Sequence, residues 1–409
     1  MQKRVVLKNC GRIDPNAIHS FLEKGGFAAL EKVQKHMAPE TVIEEVTASG
    51  LLGRGGAGFS CGLKWRLARE RAADEKFVIC NADEGEVGTF KDRYILENDP
   101  FTLLEALAIA AWAIGAAKAF VYLRAEYHYL FGLILHAIRQ AKENGFLQHV
   151  DIELREGAGS YMCGEESGLM NSLEGLRGEA RYKPPFPPHK GLWGMPTVIN
   201  NVETLMNVPP IILNGSAWFR DMGTEHSKGT KVFSVSGDVG APGVYELELG
   251  SRLSELVALA SAGDIKMVQV GGACGRIVPA DRIDIPLAYE SVLGSGAVTV
   301  FNQSRDVIDV MYRNMEFLAE ESCGRCTPCR DGSEAMLEIL GRLNRGEGAS
   351  EDIGALEDLS KVMSLSALCG LGQTASLPLM DTLNYFRKDY DSRIEQSAFL
   401  RTLSSHRHP

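Results

Sequence analysis

The chain has 409 residues, of which 45% are hydrophobic and 23% are charged, so two or three globular domains are expected. A formal net charge of −10 without a basic stripe argues against nucleic acid as a partner. The most apolar stretch, residues 106–117, is too short to cross a bilayer, and no apolar signal segment follows the N-terminus. We therefore expect a cytoplasmic protein without direct membrane insertion, free or peripheral on the inner face of a membrane complex.

The first 75 residues are predicted to be helical with polar turns, and they include a glycine-rich loop between two short helices. Strands and helices then alternate, at residues 77–80, 103–115, 119–123, 127–144 and 151–154. This order indicates a parallel sheet with helices on its faces. Ligands bind such sheets at the carboxyl ends of the strands.

The pattern changes in the second half of the chain. A proline-rich patch at residues 183–188 is predicted to be a rigid surface loop. A small α+β module follows, with strands and a helix at residues 231–235, 244–249, 253–261, 266–270 and 298–301. From residue 306 onward, apolar residues recur at helical spacing, which predicts a small helical bundle.

Four of the nine cysteines lie in this last segment. Three are spaced as Cys323-x-x-Cys326-x-x-Cys329, and Cys369 follows further along the chain. A tight group of thiols with a distant fourth is typical of the ligands of an iron–sulfur cubane. Structural zinc is the competing interpretation, although zinc sites usually take two separated pairs.

The glycine-rich loop contains Gly53, Arg54, Gly55, Gly56 and Gly58. It matches the spacing of dinucleotide-binding loops only loosely, and it follows a helix where such loops follow a strand. Glycines nevertheless let a backbone approach a phosphate, and the helix that follows offers its N-terminus and Lys64 to an anion. A structural turn is the alternative interpretation.

Two loops that follow predicted strands are rich in carboxylates. Their candidate residues are Asn81, Asp83, Glu84 and Glu86 in the first loop, and Tyr161, Gly164, Glu165 and Glu166 in the second. Because neighbouring parallel strands end at the same edge of a sheet, we expect the loops to converge on one crevice. Composition alone would favour a solvated acidic loop for the first of them.

Two further sets of residues are candidates for cofactor contacts. Phe59 and Phe186 lie in glycine- and proline-rich loops, where a ring either stacks on a planar base or anchors its own loop. Asn200, Asn201 and Thr204 offer polar contacts, although such a cluster by itself is more often a helix cap.

Together these segments resemble a known family. In chain order they are Gly53-Arg54-Gly55-Gly56-Ala57-Gly58-Phe59 with Lys64-Trp65, Cys80-Asn81-Ala82-Asp83-Glu84, Gly157-Ala158-Gly159-x-Tyr161 with Cys163-Gly164-Glu165-Glu166, Asn200-Asn201-Val202-Glu203-Thr204, and Glu321-Ser322-Cys323-Gly324-x-Cys326-Thr327-Pro328-Cys329. This order resembles the FMN- and NADH-binding subunit of respiratory complex I and its relatives in NAD-linked hydrogenases and formate dehydrogenases. The likeness runs from about residue 40 to about residue 390.

The resemblance implies an α/β fold in several parts. They are an N-terminal helical segment with the glycine-rich loop (1–75), a Rossmann-like FMN- and NAD-binding domain with a parallel sheet (76–228), a ubiquitin-like SLBB α+β domain (229–303), and a C-terminal four-helix bundle that holds a 4Fe–4S cluster (304–409).

The resemblance also implies roles for individual residues. The implied FMN contacts are Gly53, Arg54, Gly55, Lys64, Asn81, Asp83, Glu84, Tyr161, Gly164, Asn200, Asn201 and Thr204. The implied NADH contacts are Phe59, Glu86, Glu166, Lys183 and Phe186, with Glu86 and Glu166 as the residues that position the nicotinamide for catalysis. Gly56, Gly58 and Glu165 are further cofactor-binding candidates in the same loops. The four clustered cysteines match the cluster ligands.

The implied function is that of an NAD(P)H:acceptor oxidoreductase subunit. Hydride is exchanged between the nicotinamide and FMN, and single electrons then pass to the 4Fe–4S cluster and to partner subunits. The expected partners are a thioredoxin-like 2Fe–2S subunit and a further iron–sulfur or catalytic subunit. Complex I, an NAD-linked hydrogenase, a formate dehydrogenase and an electron-bifurcating complex all remain open as the assembly.

Three departures from the family pattern leave a second function open. The family commonly has Phe where this chain has Leu67, a larger residue at Gly85 and Pro at Val87. Leu67 permits a non-catalytic iron–sulfur and flavin relay or scaffold that has lost nicotinamide binding. Together the departures leave the choice between NAD and NADP open.

Overall fold

The structure, a computed structural model, describes the backbone of residues 3–405 and the side chains of residues 3–397. The strands of this range are β1 (Phe77–Ala82), β2 (Lys118–Leu123), β3 (Asp151–Glu156), β4 (Thr197–Asn201), β5 (Thr230–Gly237), β6 (Gly243–Glu248), β7 (Ile265–Val270), β8 (Arg276–Pro279) and β9 (Ala297–Asn302). The first eleven helices are α1 (Ile18–Leu22), α2 (Ala28–His36), α3 (Pro39–Ala48), α4 (Cys61–Arg69), α5 (Lys91–Asn98), α6 (Pro100–Ile114), α7 (Phe131–Glu143), α8 (Glu166–Leu173), α9 (Val202–Met206), α10 (Val208–Asn214) and α11 (Ser216–Arg220). The others are α12 (Leu253–Leu259), α13 (Val307–Glu320), α14 (Thr327–Asn344), α15 (Glu351–Ser366), α16 (Gly370–Thr374), α17 (Leu377–Tyr385) and α18 (Arg387–Ser405).

The first sheet is parallel throughout, with strand order β3-β2-β1-β4. Residues 77–80 of the central strand β1 are all buried, as a parallel strand covered on both faces requires. The α/β class with a parallel sheet is therefore confirmed. Strand β4 was not predicted from the sequence, and the segment predicted as one helix over 127–144 is a 3₁₀ turn, Ala125–Leu130, followed by α7.

Helix α6 lies at the centre of the largest core. Asp99 caps it by accepting the Thr102 N–H at 3.1 Å, and Gly115 ends it with a left-handed φ of 77°. All its residues except Trp112 are buried, because sheet and helices cover it on every side.

Glu105, on the buried surface of α6, provides the N-cap of a different helix. Helix α2 follows Phe27, whose side chain has no acceptor for the free N–H groups of the first turn. The Glu105 Oε1 atom accepts the N–H of Ala29 at 2.9 Å and that of Leu30 at 3.0 Å. Burial raises the pKa of Glu105 to about 7, despite these hydrogen bonds.

A second, mixed sheet has the strand order β6-β5-β9-β7-β8, in which only β5 and β9 pair in parallel. Its four longer strands and helix α12 were predicted, whereas the four-residue strand β8 was not. The assignment of this module as ubiquitin-like, and the four domain boundaries, stay predictions.

The C-terminal region is helical, as predicted. Helices α13, α14, α15 and α17 pack around a core that includes Met315, Leu340, Leu356 and Met363. Asp306 caps α13 by accepting the Ile308 N–H at 2.8 Å. Residues 406–409 of the predicted bundle, and residues 1 and 2 of the predicted N-terminal segment, lie outside the described residues. In the part of the chain that the structure describes, no helix combines the length and apolar character needed to span a membrane.

The Glu105 carboxyl group predicts a pH dependence of stability. Its folded-state pKa, about 7, lies above the ordinary value of 4.5, so the folded chain binds the proton more tightly than the unfolded chain. The stabilisation is complete below pH 4.5 and is lost as the pH rises through about 7. The loss amounts to about 3 kcal/mol of unfolding free energy. It should be absent in Glu105→Gln when the cofactor-free chain is unfolded with denaturant over this pH range.

Glu31→Gln is the matched control, since Glu31 is exposed on the helix that Glu105 caps. Its unfolding free energy should follow the parent chain at every pH. Equal pH slopes for Glu105→Gln and the parent would contradict the account.

Candidate functional site

The carboxyl ends of the parallel strands open onto a crevice. The strand register places Asn81 of β1 beside Asn201 of β4, so two predicted amide side chains lie on neighbouring strands. Two adjoining cavities, of about 640 and 600 Å³, occupy this edge of the sheet. Residues that line both cavities are Gly55, Ala57, Asn81, Gly164, Glu165, Asn201 and Gly370.

The structure brings almost all predicted nucleotide-site residues to these cavities. The larger cavity is also lined by Gly56, Asp83, Glu84, Glu86 and Tyr161. The other is also lined by Gly53, Gly58, Phe59, Lys64, Glu166, Lys183, Phe186, Asn200 and Thr204. Their contacts with a cofactor stay predictions.

Arg54 is the exception, because it lines neither cavity. The guanidinium is buried and donates to three backbone carbonyls, those of Thr230 at 3.0 Å, Leu52 at 3.0 Å and Lys228 at 2.6 Å. Its charge and hydrogen bonds are therefore used to join the glycine-rich loop to β5, and they do not face the crevice.

Glu84 is buried and has a structural role that the sequence did not predict. Its carboxylate accepts the N–H groups of Asp92 at 2.8 Å and Arg93 at 3.0 Å, which are free donors in the first turn of α5. The Tyr127 hydroxyl donates to the same carboxylate at 3.0 Å. Burial, with Asp92 nearby, raises the pKa of Glu84 to about 7.

Asp83 is the residue whose chemistry points to an absent ligand. It is buried, it lines the larger cavity, and its Oδ2 atom has no hydrogen-bond partner among the described residues. Burial raises the pKa of Asp83 to about 7. Buried oxygens without partners are rare in native proteins, so a polyol or ring donor from a cofactor fits here.

Glu86 joins the first sheet to the second module. Its carboxylate accepts the Tyr161 hydroxyl at 2.7 Å and the Ala273 N–H at 2.7 Å. Burial raises the pKa of Glu86 against the effect of these hydrogen bonds. The presence of glycine at the preceding position, Gly85, has a steric reason, because a Cβ atom there would lie 2.8 Å from Nη1 of Arg124.

Glu165 and Glu166 form one ion-pair group with Lys183. The Lys183 Nζ atom lies 2.8 Å from Oε1 of Glu165 and 2.7 Å from Oε1 of Glu166. Glu165 also caps α8 by accepting the Ser167 N–H at 2.8 Å. Burial by itself would raise the pKa of Glu165, but Lys183 keeps that pKa below its ordinary value.

The polar residues after β4 are partly engaged in holding the crevice together. Asn200 accepts the indole N–H of Trp65 at 2.8 Å, and Asn201 caps α9 through the Glu203 N–H at 3.0 Å. Lys64 donates to the Ile199 carbonyl at 2.9 Å. Because an ammonium has three donors, this single bond leaves Lys64 with capacity for an anion.

Two aromatic rings border the smaller cavity. Phe59 is 49% exposed and Phe186 is 50% exposed, so neither ring is occupied by packing in a core. Leu67 lines the same cavity, at the position where the resemblance leads us to expect an aromatic residue. The pair of half-exposed rings can still hold a planar base by stacking.

The four cysteines lie where the bundle meets the crevice. Cys326 directly precedes α14, Cys329 is in its first turn, and Cys369 directly precedes α16, so only Cys323 lies in a loop away from a helix end. Burial raises the pKa of the Cys329 thiol to about 11, and the three other thiols add to this effect. The four thiols therefore share one neighbourhood.

The arrangement of these thiols differs from that of a single-ion site. Among the described residues, no three His, Cys, Asp or Glu side chains converge as ligands of one metal ion. A cubane takes four cysteine thiolates on separate irons, so its ligands are spread more widely. The donor set of four cysteines fits a 4Fe–4S cluster.

Direct contacts join the cysteine loop to the crevice. The Glu321 carboxylate accepts the Tyr161 N–H at 3.0 Å, and Arg177 donates to the Cys323 carbonyl at 2.8 Å. Gly370, which follows Cys369, lines both cavities. The nucleotide crevice and the cysteines therefore form one continuous site.

Sequence reasoning missed several residues of this site. Lys91, Asp92, Cys274 and Tyr289 line the larger cavity, and each reaches it through contacts between distant segments. The only local signal was the position of Lys91 and Asp92 shortly after the acidic loop of β1.

Comparison with known families assigns both halves of this site. The family model described as the Nuo51 FMN-binding domain matches residues 46–210, which include the glycine-rich loop and the strand ends that line the crevice. The model described as the NADH-ubiquinone oxidoreductase-F iron-sulfur binding region matches residues 309–393, which include the four cysteines. These matches define a flavin- and iron–sulfur-binding protein.

Relatives over the full length specify the family. The HndC protein of the NADP-reducing hydrogenase of Solidesulfovibrio fructosivorans is 41% identical, over 96% of this chain and 84% of its own length. The NADH-quinone oxidoreductase F 2 protein of Rhizobium meliloti strain 1021 is 41% identical, over 97% of this chain and 99% of its own length. The chain belongs to the family of NADH-quinone oxidoreductase F proteins and the corresponding subunits of NAD-reducing hydrogenases.

A solved structure agrees with this assignment. A chain in the crystal structure of an NAD+-reducing NiFe hydrogenase in the H2-reduced state matches with a TM-score of 0.88 at 42% identity, over 90% of this chain. This chain spans 65% of the length of that one. The predicted family is confirmed, as are FMN and a 4Fe–4S cluster as its cofactors. Because the relatives are subunits of larger enzymes, the chain has partner subunits.

The unpartnered oxygen of Asp83 predicts a specific defect. Asp83→Ala removes an acceptor for FMN without breaking a protein hydrogen bond at Oδ2. FMN affinity, measured by quenching of flavin fluorescence on titration of the FMN-free chain, should fall roughly ten- to hundredfold.

Asp151→Ala is the control, since Asp151 is an exposed aspartate at the amino end of β3, on the opposite edge of the same sheet. It should bind FMN as the parent does. Equal affinity in the two variants would exclude Asp83 as an FMN contact.

Proposed function

We propose that this chain oxidises a reduced nicotinamide dinucleotide at its crevice and passes the electrons through FMN to its 4Fe–4S cluster and on to partner subunits. One observation carries the proposal: Gly370, next to Cys369, lines both nucleotide cavities, so the crevice and the cluster ligands adjoin. FMN, when bound, takes up an electron pair as hydride and releases the electrons singly.

The glycine-rich loop and the strand ends are the proposed FMN site. Gly55, Gly56 and Ala57 bring backbone close to the cavity, and Lys64 provides positive charge for a phosphate. Asp83 and the amides of Asn81 and Asn201 lie at the strand ends, where they can bind the ribityl chain and ring edge. All are chain groups already oriented by the sheet, which lowers the entropy cost of binding.

The smaller cavity is the proposed nicotinamide dinucleotide site. Phe59 and Phe186 are the candidates for stacking on the adenine. Glu166 in this cavity is held by Lys183, and Glu86 in the adjoining larger cavity is held by Tyr161 and Ala273, so both carboxylates have fixed positions. Hydride transfer needs alignment and no protein base, so we assign these two carboxylates to positioning.

The partners and the location extend the same proposal. We assign a thioredoxin-like 2Fe–2S subunit and a further iron–sulfur or catalytic subunit as the acceptors of the electrons. The cytoplasm, free or at the inner face of a membrane complex, is the proposed location because reduced nicotinamides are available there. Hydrogenase and quinone-reductase relatives are equally identical to this chain, at 41%, so identity does not favour either assembly.

The alternative function, a relay that has lost nicotinamide binding, depends on Leu67. The remaining pair of half-exposed phenylalanines, and the intact group of Glu165, Glu166 and Lys183, favour a working dinucleotide site.

A visible spectrum of the anaerobically purified chain, loaded with FMN and iron, tests the proposal. Addition of NADH or NADPH should bleach the flavin band within the mixing time of seconds. Iron analysis should give the iron content of one cubane per chain. A yellow, iron-containing protein that neither nucleotide bleaches would support the relay instead.

Glu166→Ala refines the test. Removing one of the two carboxylates that hold Lys183 should slow flavin reduction roughly tenfold or more, because the nicotinamide is less well aligned. Glu143→Ala, at an exposed helical glutamate, is the control. A rate equal to the parent's, at equal flavin and iron content, would rule out the positioning role.

A further inference from the structure

The glycine-rich loop, residues 53–58, is held at both ends by Tyr289, a residue between β8 and β9 of the second module. The Tyr289 hydroxyl donates to the Gly53 carbonyl at 2.5 Å. Its ring lies against Gly58, where an added Cβ atom would lie 2.7 Å from ring atoms Cδ1 and Cε1. One side chain thus contacts the first and last glycines of the loop.

Tyr289 is itself fixed in place. Its backbone N–H donates to Ser227 Oγ at 2.9 Å, and Ser227 donates to Glu290 Oε2 at 2.5 Å. Burial raises the pKa of the Tyr289 phenol, so the hydroxyl keeps its proton and remains a donor. The same residue lines the larger cavity.

Two other side chains hold the backbone of Arg54 in the same loop. The Arg54 carbonyl accepts from Nζ of Lys231 at 2.9 Å, and the Arg54 N–H donates to Oγ1 of Thr204 at 2.8 Å. The Gly53 N–H closes the loop by donating to the Phe59 carbonyl at 2.8 Å. The middle of the loop, Gly55 to Ala57, is left to face the cavities.

Glycine-rich segments lose much conformational freedom when they become ordered. If a ligand must order such a segment in order to bind, this loss lowers the binding affinity. We propose that Tyr289 is a positioning residue for FMN: it holds the loop in its binding conformation before the cofactor arrives. The second module thereby sets the flavin affinity of a site built on the first sheet. This inference rests on the proposed function, in which the loop binds the flavin phosphate.

Tyr289→Phe tests the inference, because it keeps the ring on Gly58 and removes only the hydroxyl. Tyr245→Phe is the matched control, since the Tyr245 hydroxyl also donates to a backbone carbonyl, that of Ala241 at 2.6 Å, and Tyr245 lines neither cavity. In FMN titrations of the FMN-free full-length chain, Tyr289→Phe should bind about three- to tenfold more weakly. Tyr245→Phe should match the parent.

The readouts separate positioning from general stability. Thermal midpoints of the two FMN-free variants should agree, so that a loss of FMN affinity confined to Tyr289→Phe reports on the loop and not on overall stability. Unchanged FMN affinity in Tyr289→Phe, or an equal loss in Tyr245→Phe, would overturn the inference.

Amide hydrogen exchange provides a second measurement that needs no cofactor. In the FMN-free chain, residues 53–58 should exchange faster in Tyr289→Phe than in the parent, and unchanged exchange would overturn the inference. If the parent itself binds no FMN, the proposed function fails, while hydrogen exchange still decides whether Tyr289 orders the loop.

Discussion

The structure depends on the Glu203 carboxylate, which is fully buried and binds two lysines from separate parts of the chain. Its Oε2 atom lies 3.0 Å from Nζ of Lys91, at the start of α5, and 2.6 Å from Nζ of Lys231, in β5. Although burial opposes ionisation, the two ammonium groups keep the pKa of Glu203 below its ordinary value. Loss of one partner from such a group costs about 3–5 kcal/mol, so α5, α9 and β5 must pack as one unit.

This charge group also determines the form of the crevice. Lys231 donates to the Arg54 carbonyl, and Asn201 donates to Asp92 at 2.6 Å, so the glycine-rich loop, the end of β4 and the start of α5 share one network. The backbone of the glycine-rich loop is thus fixed by protein groups, of which Glu203 and Lys231 line neither cavity, whereas Lys91, Asp92 and Asn201 also line the larger one. A site of this kind is ordered before its cofactor binds, which suits hydride transfer, where alignment determines the rate.

The sequence predicted those features that leave a local pattern. Short segments of apolar or alternating residues predicted β1, β2 and β3, which the structure confirms, and the spacing of the cysteines predicts the cluster ligands. The short strand β4 follows a proline-rich segment and was missed, as were the contacts of Lys231 and Tyr289, because pairing between distant segments leaves no periodicity in the sequence. Asn201 caps α9, so the helix-cap alternative weighed for its cluster holds alongside its predicted binding role. The capping of α5 by Glu84 and of α8 by Glu165 was not predicted.

The central claim is that one chain holds FMN in the crevice and a 4Fe–4S cluster beside it. A crystal structure of the anaerobically purified chain, with anomalous data collected at the iron edge, tests it most directly. The account predicts one compact iron peak enclosed by the sulfurs of Cys323, Cys326, Cys329 and Cys369, and planar density against the glycine-rich loop. An iron-free cysteine site with a zinc signal, or flavin density outside the crevice, would contradict it.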